Sequence, residues 1–379
     1  MPMQQLLLIG AGHAHALVLE AFAQQPASDI SITVVSDSPL AAYSGSIPAW
    51  LAGECALRDT QIDVAALSQR ANARLILSPA SSINTQARYV ALANGLRVNF
   101  DVASFNIGST LTPPKQLGES LPKLLAMRPL SSLHQRWQAL QHDVSHLPSD
   151  GAQRVVGVGG GAAGCETLMS VLAQLRQQHP DINWQGHLLS AAKELLPDAG
   201  RLPRWLTKRA LSKAGITVHC EQRGETLVED GITTQDGKRI DANIVLWATG
   251  AVGHSWLAGT ALPLDQHGFI RVDNTLEVTG QPNIFAAGDC AAFTPALPNA
   301  GVYAVRMGPH LADNLRRACH GEPLAPWQPP KRVLALIGTG GGRAIASRGA
   351  MGFSGRWVWQ WKRRIDARFI ARFNPPFEG

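Results

Sequence analysis

Leu6, Leu7, Leu8 and Ile9 form the first strong apolar run of the chain, and it stops at Gly10-Ala11-Gly12-His13-Ala14-His15. A helix-like stretch over 16–24 follows, then a β-branched run over 30–35. A short unbroken apolar run bounded by glycines reads as a strand buried on both faces, so the pattern predicts strand, tight turn, helix, strand. The unit recurs. Val155, Val156, Gly157 and Val158 run into Gly159-Gly160-Gly161-Ala162-Ala163-Gly164, then a helical stretch to about residue 178 and an apolar run over 187–189. Two such units predict an α/β fold with two Rossmann-like dinucleotide-binding domains.

The chemistry of these turns lies in the backbone. Glycines let the main chain approach a pyrophosphate, and the free N–H groups and positive dipole end of the following helix hold its charge. The second copy is complete, with Gly159, Gly161 and Gly164; the first keeps Gly10 and Gly12 but has His15 where the third glycine would stand. An acid some 20 residues on would take a ribose hydroxyl. Asp37 is the candidate in the first unit, with a one-residue shift, an ordinary loop carboxylate being the other reading; the second unit ends Leu189-Ser190-Ala191 with neither an acid nor an arginine cluster, so NADH and NADPH both stay open. His13 and His15 beside the phosphate turn are candidate donors or cations, while a histidine satisfied within the turn is the plainer reading. Alternate residues of a tight turn do not converge on an ion, so no metal site is predicted.

Composition narrows the class. Of 379 residues, 45% are hydrophobic and 16% charged, enough for two to three domains with full cores and too apolar for a disordered chain. The five cysteines (Cys55, Cys165, Cys220, Cys290, Cys319) are widely spaced and contain no C-x-x-C, which argues against a disulfide framework and for a reducing, cytoplasmic setting. The apolar stretch from residue 6 to 23 is broken by Gly10, Gly12, His13 and His15, so it is not a bilayer span. No Lys or Arg precedes Arg58, which removes the basic start of a secretory signal. The net charge of +6 is uneven: residues 331–379 hold ten Lys/Arg against Asp366 and Glu378, a surplus of +8 that leaves −2 for the rest. No nucleic-acid motif accompanies that basic tail.

A third signal lies downstream. Residues 279–289, ending Ala286-Ala287-Gly288-Asp289, read as a strand closing in Gly-Asp, with a helical stretch from Gly301 to about residue 317 behind it; Ala248-Thr249-Gly250 follows another apolar run. Together with the two glycine turns, these residues resemble the two-dinucleotide-fold flavoproteins of the pyridine nucleotide-disulfide oxidoreductase superfamily. Tyr43-Ser44-Gly45-Ser46-Ile47-Pro48, Ala346-Ser347-Arg348-Gly349 and Trp359-Gln360-Trp361-Lys362 are similar to the type II NADH dehydrogenase-like branch, particularly the flavoprotein domain fused to selenide water dikinases. The resemblance covers essentially the whole chain.

That resemblance implies an enzyme with two cofactors, FAD and NAD(P)H, that passes hydride from NAD(P)H to flavin and electrons to a quinone-like or other small-molecule acceptor. Gly10, Gly12, His13 and His15 would lie at the FAD pyrophosphate, Asp37 at its ribose, Ser44 and Gly45 on the flavin side, and Asp289 on the ribityl chain. Gly301 and Val302 would set a positive helix end near flavin N1 and the C2 oxygen. Gly108, Gly250 and Gly288 join the cofactor-binding set. Gly159, Gly161 and Gly164 would hold the nicotinamide dinucleotide, with Glu166 near the nicotinamide or simply a first-turn acid favoured by the helix dipole. Hydride transfer needs no protein acid or base, so no catalytic residue is assigned. The implied domains are 1–115 and 248–330 for FAD, 116–247 for NAD(P), and a C-terminal α+β segment, 331–379.

Two departures matter. Paired redox cysteines are missing after the first unit, where only Cys55 stands, so disulfide reduction is not expected. Cys165 and Cys290 adjoin cofactor motifs; a sulfide- or selenium-compound-handling enzyme would need one of them against the flavin, while small packing residues are the plainer reading. A non-catalytic flavin-binding redox sensor is the remaining alternative. Gly338-Thr339-Gly340-Gly341-Gly342 follows an apolar run and reads as a hairpin, since Gly349 and Gly352 spoil a following helix. In the tail, Trp357, Trp361, Ile365, Phe369 and Phe373 recur every fourth residue beside Arg364, Arg368 and Arg372. This predicts an aromatic-basic helix over 357–373 that either lies on the inner face of an anionic membrane or packs as a cap on the FAD domain or on a second subunit of a homodimer.

Overall fold

The computed structural model describes residues 3–147, 151–298 and 300–374. Its first five-stranded sheet is entirely parallel and runs in the order Ile284–Ala286, Val102–Phe105, Gln4–Ile9, Ile30–Ser36, Arg74–Leu77. Leu6 to Ile9 are each no more than 1% exposed: Leu6 and Leu8 pack beneath the helices His13–Gln24 and Gly301–His320, and Leu7 and Ile9 pack on the other face against Ile83, Val90, Leu92 and Ile270. Cover on both faces is why the run is continuous rather than alternating. The helix His13–Gln24 packs on the helix Gly301–His320, and their axes approach so closely at Gly308 that a Cβ there would press on Leu17. Phe22, Leu311, Leu315 and Phe285 fill the core between them and the sheet.

The second five-stranded sheet repeats the plan, in the order Lys123–Ala126, Ile244–Trp247, Ala152–Val158, Asn183–Leu189, Ile216–His219, again all parallel. The helix Ala162–Gln178 crosses over it, burying Leu168, Met169, Leu172 and Leu175. The chain passes between the two halves twice, and the crossings pair with each other: Thr110–Leu111 runs antiparallel to Ala251–Val252. The expected junction at 115 falls inside the strand Lys115–Gln116, which already pairs with Gly224–Val228 beside the second sheet.

The C-terminal segment is a three-stranded antiparallel sheet, Ala335–Gly338, Ala344–Arg348 and Met351–Gly355, followed by the tail helix Arg356–Phe373. The glycine cluster at 338–342 makes the first hairpin; Gly340, Gly341 and Gly342 all have φ between 61 and 71°, which a residue with a Cβ rarely adopts.

The fourfold aromatic stripe of the tail helix does not stay on one face. At 3.6 residues per turn a four-residue step advances by about 40°, so the stripe winds from solvent into the core. Trp357, Trp361 and Ile365 are 54%, 38% and 39% exposed, while Phe369 and Phe373 are 8% and 0% exposed and join the first core cluster. Arg372 clamps this end to Glu20 on the first helix through two hydrogen bonds. Among the described residues, no helix is long and apolar enough to cross a membrane.

Candidate functional site

One cavity of about 1110 Å³ runs between the two parallel sheets and under the tail helix, larger than most small-ligand pockets, which hold roughly 300–1,000 Å³. The first glycine turn forms part of its wall: Gly10, Ala11, Gly12 and His13 line it. Gly10 has φ 85°, and a Cβ on it would stand 2.6 Å from the carbonyl oxygen of Asn106; one on Gly12 would collide with the Asn106 carboxamide. Asn106 was not legible in the sequence, yet it ties the site together. Its Oδ1 accepts the N–H groups of Ala14 (3.0 Å) and His15 (3.3 Å), and its Nδ2 donates to the Ala287 carbonyl at 2.6 Å. The Ala16 N–H is bonded to Gly12, so of the four donors opening this helix only that of His13 lacks a partner among the described residues, and it sits on the cavity.

The two histidines separate. His13 lines the cavity, where burial holds its imidazole below the usual value and its Nε2 accepts the Ser44 N–H at 3.3 Å. It is a neutral ring rather than a cation. His15 does not reach the cavity and is fully buried behind the turn. Its Nδ1 must donate to the Gly10 carbonyl (2.6 Å), which leaves Nε2 to accept the Ser104 hydroxyl at 2.8 Å; burial pulls its pKa down to about 4. The expectation of a His15 contact to pyrophosphate is therefore corrected: the ring occupies the space a third glycine would leave between turn and sheet, and acts by fixing the Gly10 carbonyl.

Asp37, Ser44, Gly45, Gly108, Glu166, Asp289, Gly301 and Val302 all line the cavity. Asp37 is exposed at one end, with His254 and Trp256 also in the wall. Gly301 opens the closing helix with its Cα against Ser44 and His13; a Cβ there would stand 2.7 Å from Ser44 Oγ. Gly250 and Gly288 do not line it. Gly250 sits at the second crossing, where its carbonyl accepts the Thr112 N–H, and Gly288 (φ 71°) lets Asn106 pass, a Cβ there meeting Asn106 Nδ2 at 2.6 Å.

The second turn lies at the rim. Ala162, Ala163 and Glu166 line the cavity, but Gly159, Gly161 and Gly164 do not. Gly159 bonds to Leu189 as Gly10 bonds to Val35. A Cβ on Gly164 would collide with the Gly159 carbonyl, so this glycine sets helix against strand, whereas Gly161 faces open space. The N–H groups of Ala162, Ala163 and Gly164 have no partner among the described residues.

Three cavity residues were missed in the sequence. Arg128, from the loop after the first strand of the second sheet, bonds Ser109 Oγ (2.6 Å) and pairs with Asp289 at 2.9 Å, joining the two halves. Lys362 and Asp366, one turn apart on the tail helix, are buried and paired at 3.0 Å; Lys362 also donates to the Gly45 carbonyl, and the Tyr43 hydroxyl donates to Asp366 at 3.1 Å. Burial opposes the Lys362 charge, but Glu166 and Asp366 outweigh it and hold the ammonium above its usual value. Glu166 stands 3.9 Å from Lys362 and accepts the Gly338 N–H at 2.6 Å, yet desolvation dominates and pushes its carboxyl up to about 7. The i, i+4 Lys–Asp spacing inside an aromatic stripe was the one sequence signal for this cluster.

No cysteine lines the cavity among the described residues. Cys165 and Cys290 are both fully buried, and desolvation pushes each thiol up to about 12. Their sulfurs rest on backbone carbonyls, Gly160 for Cys165, Phe105 and Ala287 for Cys290. No cluster of three or more potential metal ligands occurs among the described residues.

Comparison with known proteins gives consistent likenesses. Demethylphylloquinone reductase NdbB of Synechocystis sp. is 29% identical over 197 residues, covering 50% of this chain and 47% of that protein. The chain thus spans about half the length of such curated relatives. An NADH dehydrogenase-like protein of Mycobacterium tuberculosis is 23% identical across 100% of this chain and 96% of its own. Among solved structures, the sulfide:quinone oxidoreductase of Aquifex aeolicus superposes with a TM-score of 0.79 at 16% identity, over 99% of this chain and 94% of that one, which establishes a shared fold. The model of the pyridine nucleotide-disulphide oxidoreductase family matches residues 4–314, and the chain belongs to that family.

Proposed function

We propose that this chain is an FAD-dependent NAD(P)H oxidoreductase that delivers electrons to a quinone-like acceptor. The observation that carries the reading is the convergence of two glycine-turn helix ends, one buried and one open, on a single cavity that also contains a buried proton-bearing cluster. Its relatives named for quinone reduction and NADH oxidation point the same way.

The residues fit FAD. The Gly10–Gly12 cradle, which any Cβ would fill, and the unpartnered His13 N–H suit a pyrophosphate. Asp37, with His254 and Trp256, suits the adenosine end, and Asp289 with Arg128 the ribityl region. Ser44, Gly45 and the helix end at Gly301 and Val302 would surround the ring. We assign residues 1–115 and 248–330 to this domain and 116–247 to the nucleotide domain, where Gly159, Gly161 and Gly164 shape the turn for NAD(P)H. Bound flavin would supply two-electron chemistry, accepting hydride from NAD(P)H and passing electrons on.

The chain's own contribution is placement and protons. The overall reaction, NAD(P)H + H⁺ + quinone → NAD(P)⁺ + quinol, consumes a proton from solution. Glu166, with a pKa near 7 and its Oε1 committed to the Gly338 N–H, can hold and release one at Oε2 near neutrality. Lys362 is held in place by Asp366, itself bonded by the Tyr43 hydroxyl, and by the Gly45 carbonyl, and it steadies the carboxylate form. Tyr43 stacks on Phe369 with centroids 4.7 Å apart, which keeps water from this side of the cluster.

Anaerobic titration tests the reading: NADH or NADPH should bleach the yellow holoprotein, and a quinone should restore the colour. A colourless preparation that cannot be reconstituted with FAD refutes it. The sulfide- or selenium-handling alternative keeps the fold likeness but lacks a thiol on the cavity; full turnover by a Cys290→Ser variant would count further against it. The exposed Trp357, Trp361 and Ile365, with Arg364 and Arg368, support contact of this helix half with anionic lipid, where a quinone would dissolve. Failure of the protein to bind phosphatidylglycerol vesicles at low salt would remove that part.

A further inference from the structure

Six Lys or Arg side chains line the cavity, and they divide evenly. Arg128, Lys362 and Arg372 each face a carboxylate, on Asp289, Asp366 and Glu20. Arg306, Arg332 and Arg348 have no carboxylate partner among the described residues. Arg332 and Arg348 belong to one end of the tail sheet. Arg348 closes its middle strand, one step beyond the Ala335–Ser347 pair and so level with Leu334. Arg332 folds over the same turn, its Cδ lying 3.3 Å from where a Cβ on Gly349 would be. Between them and the Glu166–Lys362 cluster the wall is apolar: Leu334, Leu336, Ile337 and Ile365.

A cavity segment with an apolar wall and two unneutralised guanidiniums at its edge selects for a ligand of matching polarity. Planar guanidinium forks recognise carboxylate, sulfonate and phosphate oxygens, and a positive rim concentrates anions before they dock. We propose that the acceptor end of the cavity takes a quinone-type ring accompanied by an anionic group, the ring against Leu334, Leu336 and Ile365 and the anion against Arg332 and Arg348. This rests on the quinone-reductase reading above. The ring takes up two electrons and two protons to become the hydroquinone while NAD(P)H becomes NAD(P)⁺; the anion is unchanged. The anion is either a substituent of the acceptor or the headgroup of an adjacent anionic lipid.

The experiment compares kcat/KM for a neutral acceptor, 2-methyl-1,4-naphthoquinone, with that for 1,4-naphthoquinone-2-sulfonate, using the holoprotein and an Arg332→Gln/Arg348→Gln double variant. The differing potentials of the acceptors cancel in the ratio of ratios. Exposed charge pairs are individually weak, so the sulfonate preference should fall about 3- to 10-fold in the variant at low ionic strength. The wild-type preference should shrink likewise as salt is raised. In a second arm, the neutral quinone is presented in phosphatidylcholine vesicles with and without phosphatidylglycerol. A rate gain from phosphatidylglycerol that the double variant loses identifies the headgroup as the anion and supports the proposal. A sulfonate ratio that neither substitution nor salt changes, with no such lipid gain, overturns it. Bleaching by NAD(P)H is read on the same preparations: a protein that bleaches and reduces quinones with an unchanged ratio and no lipid gain refutes only this proposal, whereas one that never bleaches refutes the underlying reading.

Discussion

The two strand–turn–helix units share a plan and differ in how their helix ends are finished. In the first, Asn106 takes two of the opening N–H groups, His15 braces the turn from behind, and the turn is buried or half-buried. In the second, the N–H groups of Ala162, Ala163 and Gly164 stay unpartnered, and Gly161 to Ala163 are exposed. A turn with most of its donors already committed is preorganised and pays little to hold a ligand permanently. An open one must meet its ligand from solvent and lets it leave. The contrast suits a resident flavin beside an exchanging nicotinamide nucleotide.

The comparison can be broken from either side. Gly12→Val should have the largest effect, because its Cβ collides with the Asn106 carboxamide and the added methyls overpack a closed site: FAD content by absorbance should fall below about a tenth, with about 3 kcal/mol lost in unfolding measurements. Gly164→Val strikes the Gly159 carbonyl instead. It should stay yellow but be reduced by NAD(P)H about 100-fold more slowly in stopped flow, equivalent to about 2.7 kcal/mol at 1.36 kcal/mol per decade.

Glu166→Gln should have a smaller, pH-dependent effect. The folded carboxyl titrates near 7 against 4.5 for the ordinary group, so the folded protein binds the extra proton. This group's contribution to stability therefore declines as pH rises from about 4.5 to 7 and is lowest above that window. The variant should gain in melting temperature relative to wild type more at pH 8 than at pH 5, and its quinone turnover should lose the pH limb near 7. Gly161→Ala should change least, since nothing lies within 4 Å of the new methyl: about 0.5 kcal/mol or less by thermal unfolding, with reduction by NAD(P)H within about twofold. A large effect there would mean that the second turn closes more tightly than it stands.

The glycine turns, the parallel sheets and the hairpin at 338–342 were legible because each is dictated locally. A glycine at positive φ or an unbroken apolar run carries its meaning in a few neighbouring residues. His15 was misassigned for the same reason. Occupying the third-glycine position made it look like a ligand contact, and only Ser104, on another strand, shows where the ring goes. The tail helix was legible as a helix, but a four-residue stripe drifts around it, so one half meets solvent and the other the core.

Sequence alone determined the two nucleotide-type turns and their strands, since backbone constraint and burial on both faces restrict which residues can stand there. The site's wiring belonged to the tertiary structure. Asn106 reaches across to Ala287, Arg128 to Asp289, and Glu166 to Gly338, 172 residues away. Desolvation and charge pairing depend on what packs around a group in three dimensions, so the i, i+4 spacing of Lys362 and Asp366 could hint at their pairing but not at their burial or at Glu166 joining them.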